Sequence, residues 1–175
     1  MPIAVTGYAL RDALKQWELR LAAANKSFNG SLYRFKGEEN KKSPHDVALD
    51  ISTAERAIVE LQVAQMQYNL LVGVNVQGES MTLAEAIKHV GSAGKIEKMW
   101  KAAVTGKEKS KYSYEDPTVR DNNPNQERAV EVLSSEELLA VTGLASRRAG
   151  ALRSVIATAN ATSQMVDLDP TLLIE

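Results

Sequence analysis

Residues 43–72 read SPHDVALDISTAERAIVELQVAQMQYNLLV, and this stretch decides the fold. Ser43 stands where a helix N-cap belongs, with Pro44 at the first helical position and Asp46 at the third, Asp replacing the more usual Glu of a capping box. Behind that start Val47, Ile51, Ala54, Ile58, Leu61, Gln65, Tyr68 and Val72 recur at alternating steps of four and three, broken in polarity only by Gln65. The row predicts a helix whose narrow inward face has the coiled-coil period and runs for about 38 Å. A second row, Val59, Val63, Met66 and Leu70, falls nearly opposite when each residue turns by about 100°. Apolar area left in water costs about 25 cal/mol per Å², so two apolar faces predict a helix lying between other elements or between subunits. These four residues are the candidate oligomer face.

Upstream, Leu10, Leu14, Trp17, Leu21, Ala24 and Phe28 repeat the same spacing, which predicts a helix from Thr6-Gly7 to Asn29-Gly30, with glycine as the stop. The polar run 36–42 reads as an exposed loop. Downstream, 71–78 fits a short strand or an extended turn. A third helix opens at Thr82 with Glu85 as its capping-box acid and carries Leu83, Ile87 and Val90. Gly91 and Gly94 are expected to break or bend it, with Ile96, Met99, Trp100 and Ala103 resuming on a shifted phase. Residues 105–127 are rich in Lys, Asn, Ser and Pro and read as a long exposed loop, the natural place for a variable recognition surface. Residues 129–133 alternate like a short strand. Ser134 to Glu137 then cap a fourth helix carrying Leu138, Val141, Ala145, Leu152, Val155 and Ala159, with Leu139, Ala149 and Ile156 widening its face. The tail from Asp167 is apolar enough to dock on the helices or on a neighbour. The expected architecture is a single all-α domain over 1–175: an antiparallel helical bundle with a long coiled-coil-like hairpin and room for one or two very short strands.

Composition narrows the chemistry. The 175 residues include no cysteine, two histidines and 5% aromatics, which excludes disulfide frameworks and cysteine-ligated metals and leaves little for histidine catalysis. A formal charge of −1 gives no general attraction to polyanions. No run is long and apolar enough to span a bilayer, and the start lacks the features of a secretory signal, so a cytoplasmic protein is expected, without a cofactor, metal or membrane partner. Charge is blocked rather than mixed: residues 1–42 carry eight Lys/Arg and four Asp/Glu, whereas 43–79 carry Arg56 against five acids. Antiparallel pairing of the first two helices brings these excesses together, selecting register more than adding stability.

Taken together, the heptad helix, the loop ending in Pro44, the second helix closing on Asn69-Leu70, the turn into Met81-Thr82-Leu83-Ala84-Glu85-Ala86-Ile87 and the last helix ending Ala159-Asn160-Ala161-Thr162 resemble the septicolysin-like family of uncharacterised bacterial helical proteins. The resemblance implies an all-helical fold and no established activity. Ala161 stands where the family pattern leads one to expect an aromatic, and no functional residue carries across.

Candidate chemistry is sparse. Glu85 and His89 share a helix face, but di-iron bundles use Glu-x-x-His in duplicate, so a surface ion pair is the plainer reading. Gly91-Ser92-Ala93-Gly94-Lys95 lacks the first glycine and the Ser/Thr of a phosphate loop. Between 88 and 111 the chain has seven lysines against Glu97 and Glu108. Lys95, Lys98, Lys101, Lys107, Lys109 and Lys111 form a candidate basic patch near Trp100 that suits phosphate contacts, although a solvated face is the simpler expectation. Arg147, Arg148 and Arg153 are expected to pair with the acids of the second helix. No nucleophile elbow is present. The favoured function is therefore non-enzymatic, through self-association into a homo-oligomer or binding of a protein partner. The alternatives are nucleic-acid binding through 88–111 and an enzyme or ligand carrier with a pocket between helices three and four near Trp100, His89 and Arg148.

Overall fold

The computed structural model describes residues 1–33, 42–112 and 133–173, with side chains given except for 106–112. In chain order the elements are β1 (Pro2–Thr6), α1 (Gly7–Ser31), α2 (Pro44–Leu71), β2 (Gly73–Val76), β3 (Glu79–Thr82), α3 (Leu83–Tyr112), α4 (Ser135–Asn160) and β4 (Ser163–Asp167), followed by a 3₁₀ turn at Pro170–Leu172. The fold is mainly helical but not all-α. Two small antiparallel sheets, β1 with β4 and β2 with β3, form its base. β1 pairs with β4 from Pro2 opposite Asp167 to Thr6 opposite Ser163.

The starts of the helices follow from their caps. Thr6 Oγ1 accepts from the Ala9 amide at 3.1 Å, Ser43 and Ser134 each complete a capping box with Asp46 and Glu137, and Thr82 does so with Glu85. These bonds satisfy amides that a helix cannot satisfy internally. The β2–β3 hairpin closes through Gln77-Gly78, both at positive φ (55° and 92°), the geometry of a type I′ turn.

Helices α1 and α2 form one antiparallel hairpin: Gly7 lies against Tyr68 at the base, and Ser27, Gly30 and Ser31 border Lys42 and Val47 at the far end. Helices α3 and α4 form the second. The hairpins touch each other mainly near the base, where the core gathers Leu10, Leu61, Tyr68, Val76, Leu83, Leu152 and Val166. The tail docks as expected, Leu172 and Leu173 packing on this core and the Trp17 Nε1–H donating to the Leu172 carbonyl at 3.1 Å.

The inward rows of α1 and α2 are those read from the sequence. In α3 the row is Leu83, Ala86, Val90, Ala93, Glu97, Trp100 and Val104, all buried or half-buried, and it continues unbroken through Gly91 and Gly94. The expected break and phase shift do not occur. Ile87, Ile96 and Met99, which carried that expectation, are exposed, and Leu139 on α4 is exposed as well. A lone glycine costs a helix only about 1 kcal/mol relative to alanine, so flanking packing carries the helix through. Residues 105–112 continue α3 instead of opening the loop expected at 105–127, whose remainder lies outside the described residues, as do 129–132.

The two hairpins repeat one plan. A shift of 76 residues carries the Thr6 cap onto the Thr82 cap, and the inward row Leu10, Leu14, Trp17, Leu21, Ala24, Phe28 onto Ala86, Val90, Ala93, Glu97, Trp100, Val104. A shift of 91 carries the Ser43 and Asp46 capping box onto Ser134 and Glu137, and Val47, Leu61 and Tyr68 onto Leu138, Leu152 and Ala159. Each half runs strand, helix, helix, strand, and each strand pairs with one from the other half. The base is thus a mutual exchange of edges, which hides strand ends that two separate halves would leave unpaired.

Candidate functional site

Helix α2 presents Val59, Val63, Met66 and Leu70 to solvent at 57%, 43%, 58% and 64% exposure. On the other side of the same helix Leu61, Ala64 and Tyr68 are fully buried. The inward row and the capping box fix the rotation of α2, so the outward direction of the second row follows from the first. None of the described elements covers it.

The basic residues are not gathered into one stripe. Lys95 and Lys98 are exposed, while the Lys101 Nζ is bound to Glu97 Oε1 at 2.8 Å. A three-residue step turns a helix by about 60°, which fans these lysines around α3. The side chains of Lys107, Lys109 and Lys111 lie outside the described residues. Glu97, only 7% exposed and sitting in the inward row, also binds Arg153 Nη2 of α4 at 2.7 Å. Hydrogen bonds from Lys101 and Arg153, aided by their charges and opposed by desolvation, bring its carboxyl from 4.5 down to about 2. Arg148 pairs with Glu79 of β3 at 3.0 Å. Neither arginine bonds to α2, contrary to expectation, because α4 faces α3 and the base hairpin. No ion pair links α1 to α2 among the described residues, but Lys42 of the basic block meets Asp50 of α2 at 2.6 Å.

The Glu85 carboxylate accepts from the amide and hydroxyl of Thr82 at 2.7 and 2.9 Å, which holds it below the usual carboxylate range. It serves the cap, and the neighbouring His89 adds a smaller electrostatic lowering of the same carboxyl. No group of three metal-ligating His or carboxylate side chains occurs among the described residues. Of the three residues named for an inter-helix pocket, the structure brings two together: His89 and Arg148 line a cavity of 230 Å³ with Ser92, Ala93, Ile96 and Ala145, while Trp100 is not in its wall. Ala93 and Ala145 were missed as pocket residues because a methyl side chain gives no chemical signal, and Glu97 was read only as one acid among lysines.

Fold and surface together define a class: two helical hairpins on a shared strand base, with an apolar helix face that none of the described elements covers. No family model matches the chain, and no curated protein matches it either. The solved structures include a similar one, a functionally unknown conserved protein from Corynebacterium diphtheriae, with a TM-score of 0.59 and 16% identity over 92% of this chain and 99% of that one. At that identity the likeness establishes the fold alone. No helix among the described residues is long and apolar enough to cross a membrane.

Proposed function

We propose that this is a non-enzymatic helical protein that acts by associating with a second copy of itself, or with a helical protein partner, through the outer face of α2. The observation that carries the reading is the exposed row Val59, Val63, Met66, Leu70, which keeps the four-three-four spacing of a coiled-coil seam on the side of α2 opposite the core. Scattered surface apolar residues are ordinary, but a continuous row along one helix is the pattern that partner helices recognise. The reading includes the resemblance to the septicolysin-like family of uncharacterised bacterial helical proteins.

The test is light scattering coupled to size exclusion at micromolar concentration. The wild-type chain is expected to exceed its 19.1 kDa monomer mass, and Val63→Glu with Met66→Lys to return it to that mass with unchanged helicity. A wild-type protein that elutes as a monomer, alone and with candidate protein partners, overturns the reading.

A further inference from the structure

The second hairpin holds the 230 Å³ cavity between α3 and α4, and the internal repeat shows what occupies the same place in the first hairpin. The shift of 76 residues maps Ala93 onto Trp17 and Ile96 onto Arg20; the shift of 91 maps Ala145 onto Ala54 and Arg148 onto Ala57. In the first hairpin the corresponding residue is Trp17, whose indole is half-buried against the core. The Arg20 guanidinium lies 4.9 Å from the Trp17 ring centroid, and the docked tail receives the ring N–H through the Leu172 carbonyl. In the second hairpin the corresponding residue is Ala93, and the tail has no counterpart, because β2 turns through Gln77-Gly78 directly into β3. One hairpin therefore carries an aromatic ring at this position, and among the described residues the other has a cleft there.

The lining of that space defines what fits. Ala93, Ala145 and Ile96 give apolar walls, and an apolar cavity of about 150 Å³ already accommodates benzene, so this one has room for a fused two-ring system. Arg148 and His89 stand on opposite helices of the same cavity. Glu79 Oε2 accepts from Arg148 Nη2 at 3.0 Å, which fixes the guanidinium while using one of its donors. The remaining N–H groups form the planar fork that suits a carboxylate. We infer that the cavity between α3 and α4 binds a small planar aromatic carboxylate, its ring lying over Ala93 and Ala145 and its carboxylate meeting Arg148 and His89. This site is separate from the α2 face, so its test and the association test fail independently.

Indole-3-acetate serves as the probe, titrated into the full-length protein and followed by methyl NMR and calorimetry. The expected result is saturable binding, with shifts centred on the methyls of Ala93, Ile96 and Ala145. Indole, which lacks the carboxylate, and inorganic phosphate, which lacks the ring, are each expected to bind about tenfold more weakly or worse. Arg148→Gln costs about tenfold in affinity. Ala93→Trp, which installs the first hairpin's residue, abolishes binding, and Ala145→Leu tests the same occlusion should the larger substitution prevent folding. Absence of saturable binding at millimolar probe, shifts centred elsewhere, phosphate binding as well as the probe, or undiminished binding in the variant that blocks the cavity would each overturn the inference.

Discussion

Gly7 and Asn160 approach so closely at the base that a Cβ on Gly7 would overlap the Asn160 Oδ1, with Tyr68 Cε1 also only 2.9 Å away. Gly7 opens α1 and Asn160 ends α4, so the contact joins the first turn of one hairpin to the last turn of the other. Gly7→Ala is expected to destabilise by about 1–3 kcal/mol through overpacking, although alanine is the better helix former. Gly91 and Gly150, where an added methyl meets nothing within 4 Å, supply the contrast. Their alanine variants are expected to gain about 0.5–1 kcal/mol. Urea midpoints of the three variants decide the matter, and a partial rescue of Gly7→Ala by Asn160→Ala locates the clash.

Tyr68 makes the second tie between hairpins. Its buried hydroxyl lies 2.6 Å from both the Ala159 and Thr162 carbonyls, supplying a donor where α4 ends without a basic residue in its last turn. Tyr68→Phe keeps the ring and removes the donor, at an expected cost of about 1–2 kcal/mol by urea denaturation. Hydrogen exchange at the last turn of α4 should rise in that variant while the far ends of α1 and α2 stay unchanged.

Much of this architecture is legible in the sequence, and the failures share a physical cause. The caps at Thr6, Ser43, Thr82 and Ser134 were readable because capping is local chemistry with fixed spacing. The rows of α1 and α2 were readable because each keeps an unbroken four-three spacing anchored by residues that do point inward, Leu10 in α1 and Leu61 and Tyr68 in α2. In α3 that rule fails: Ala86, Ala93 and Glu97 face in while Ile87, Ile96 and Met99 face out, so following the bulky residues selects the wrong phase. β1 and β4 went unread because five-residue strands at opposite ends of the chain carry no local pairing signal. The repeated spacing from Thr and Ser caps to inward rows was the available clue to the two-fold plan. It escapes notice because small, apolar and charged residues substitute for one another between the halves. His89 and Arg148 were singled out for their chemistry, and only the fold shows that alanines open the space beside them.

Acid should reveal the Glu97 network. Its carboxyl is lowered from 4.5 to about 2 in the folded chain by Lys101 and Arg153, so its contribution is present above the unfolded value and is lost as pH falls through the folded one. Comparing urea midpoints of wild type and Glu97→Gln between pH 6 and pH 2 isolates this group. The wild-type advantage is expected to be constant above about pH 5 and to shrink between about 4.5 and 2. An advantage that does not change over that window would remove Glu97 as the acid-sensitive lock between α3 and α4.

The β2–β3 turn offers a gain. Gln77 holds φ at 55°, in the left-handed region where a residue other than glycine, asparagine or aspartate is disfavoured by about 1–2 kcal/mol. Type I′ turns favour Asn-Gly, and the Gly78 amide already donates to Asn75 Oδ1 at 3.0 Å. Gln77→Asn is therefore expected to raise stability by about 0.5–1 kcal/mol without altering the register from Gly73 opposite Thr82 to Val76 opposite Glu79.

Trp17 reports on the closure that distinguishes the first hairpin from the second. Its ring is half-buried, covered by Arg20 and tied to the tail through Leu172. The chain has two tryptophans, so Trp100→Phe leaves Trp17 as the lone emitter. In that background, alanine at both Leu172 and Leu173 removes the apolar contacts that seat the tail on the core. A wetter indole emits at longer wavelength, so the expected outcome is a red shift together with loss of about 2–4 kcal/mol of stability from the two truncations. An unshifted spectrum would mean that α1 and α2 enclose the ring by themselves, and the tail would then lose its place as the element that makes one half of the repeat closed and the other open.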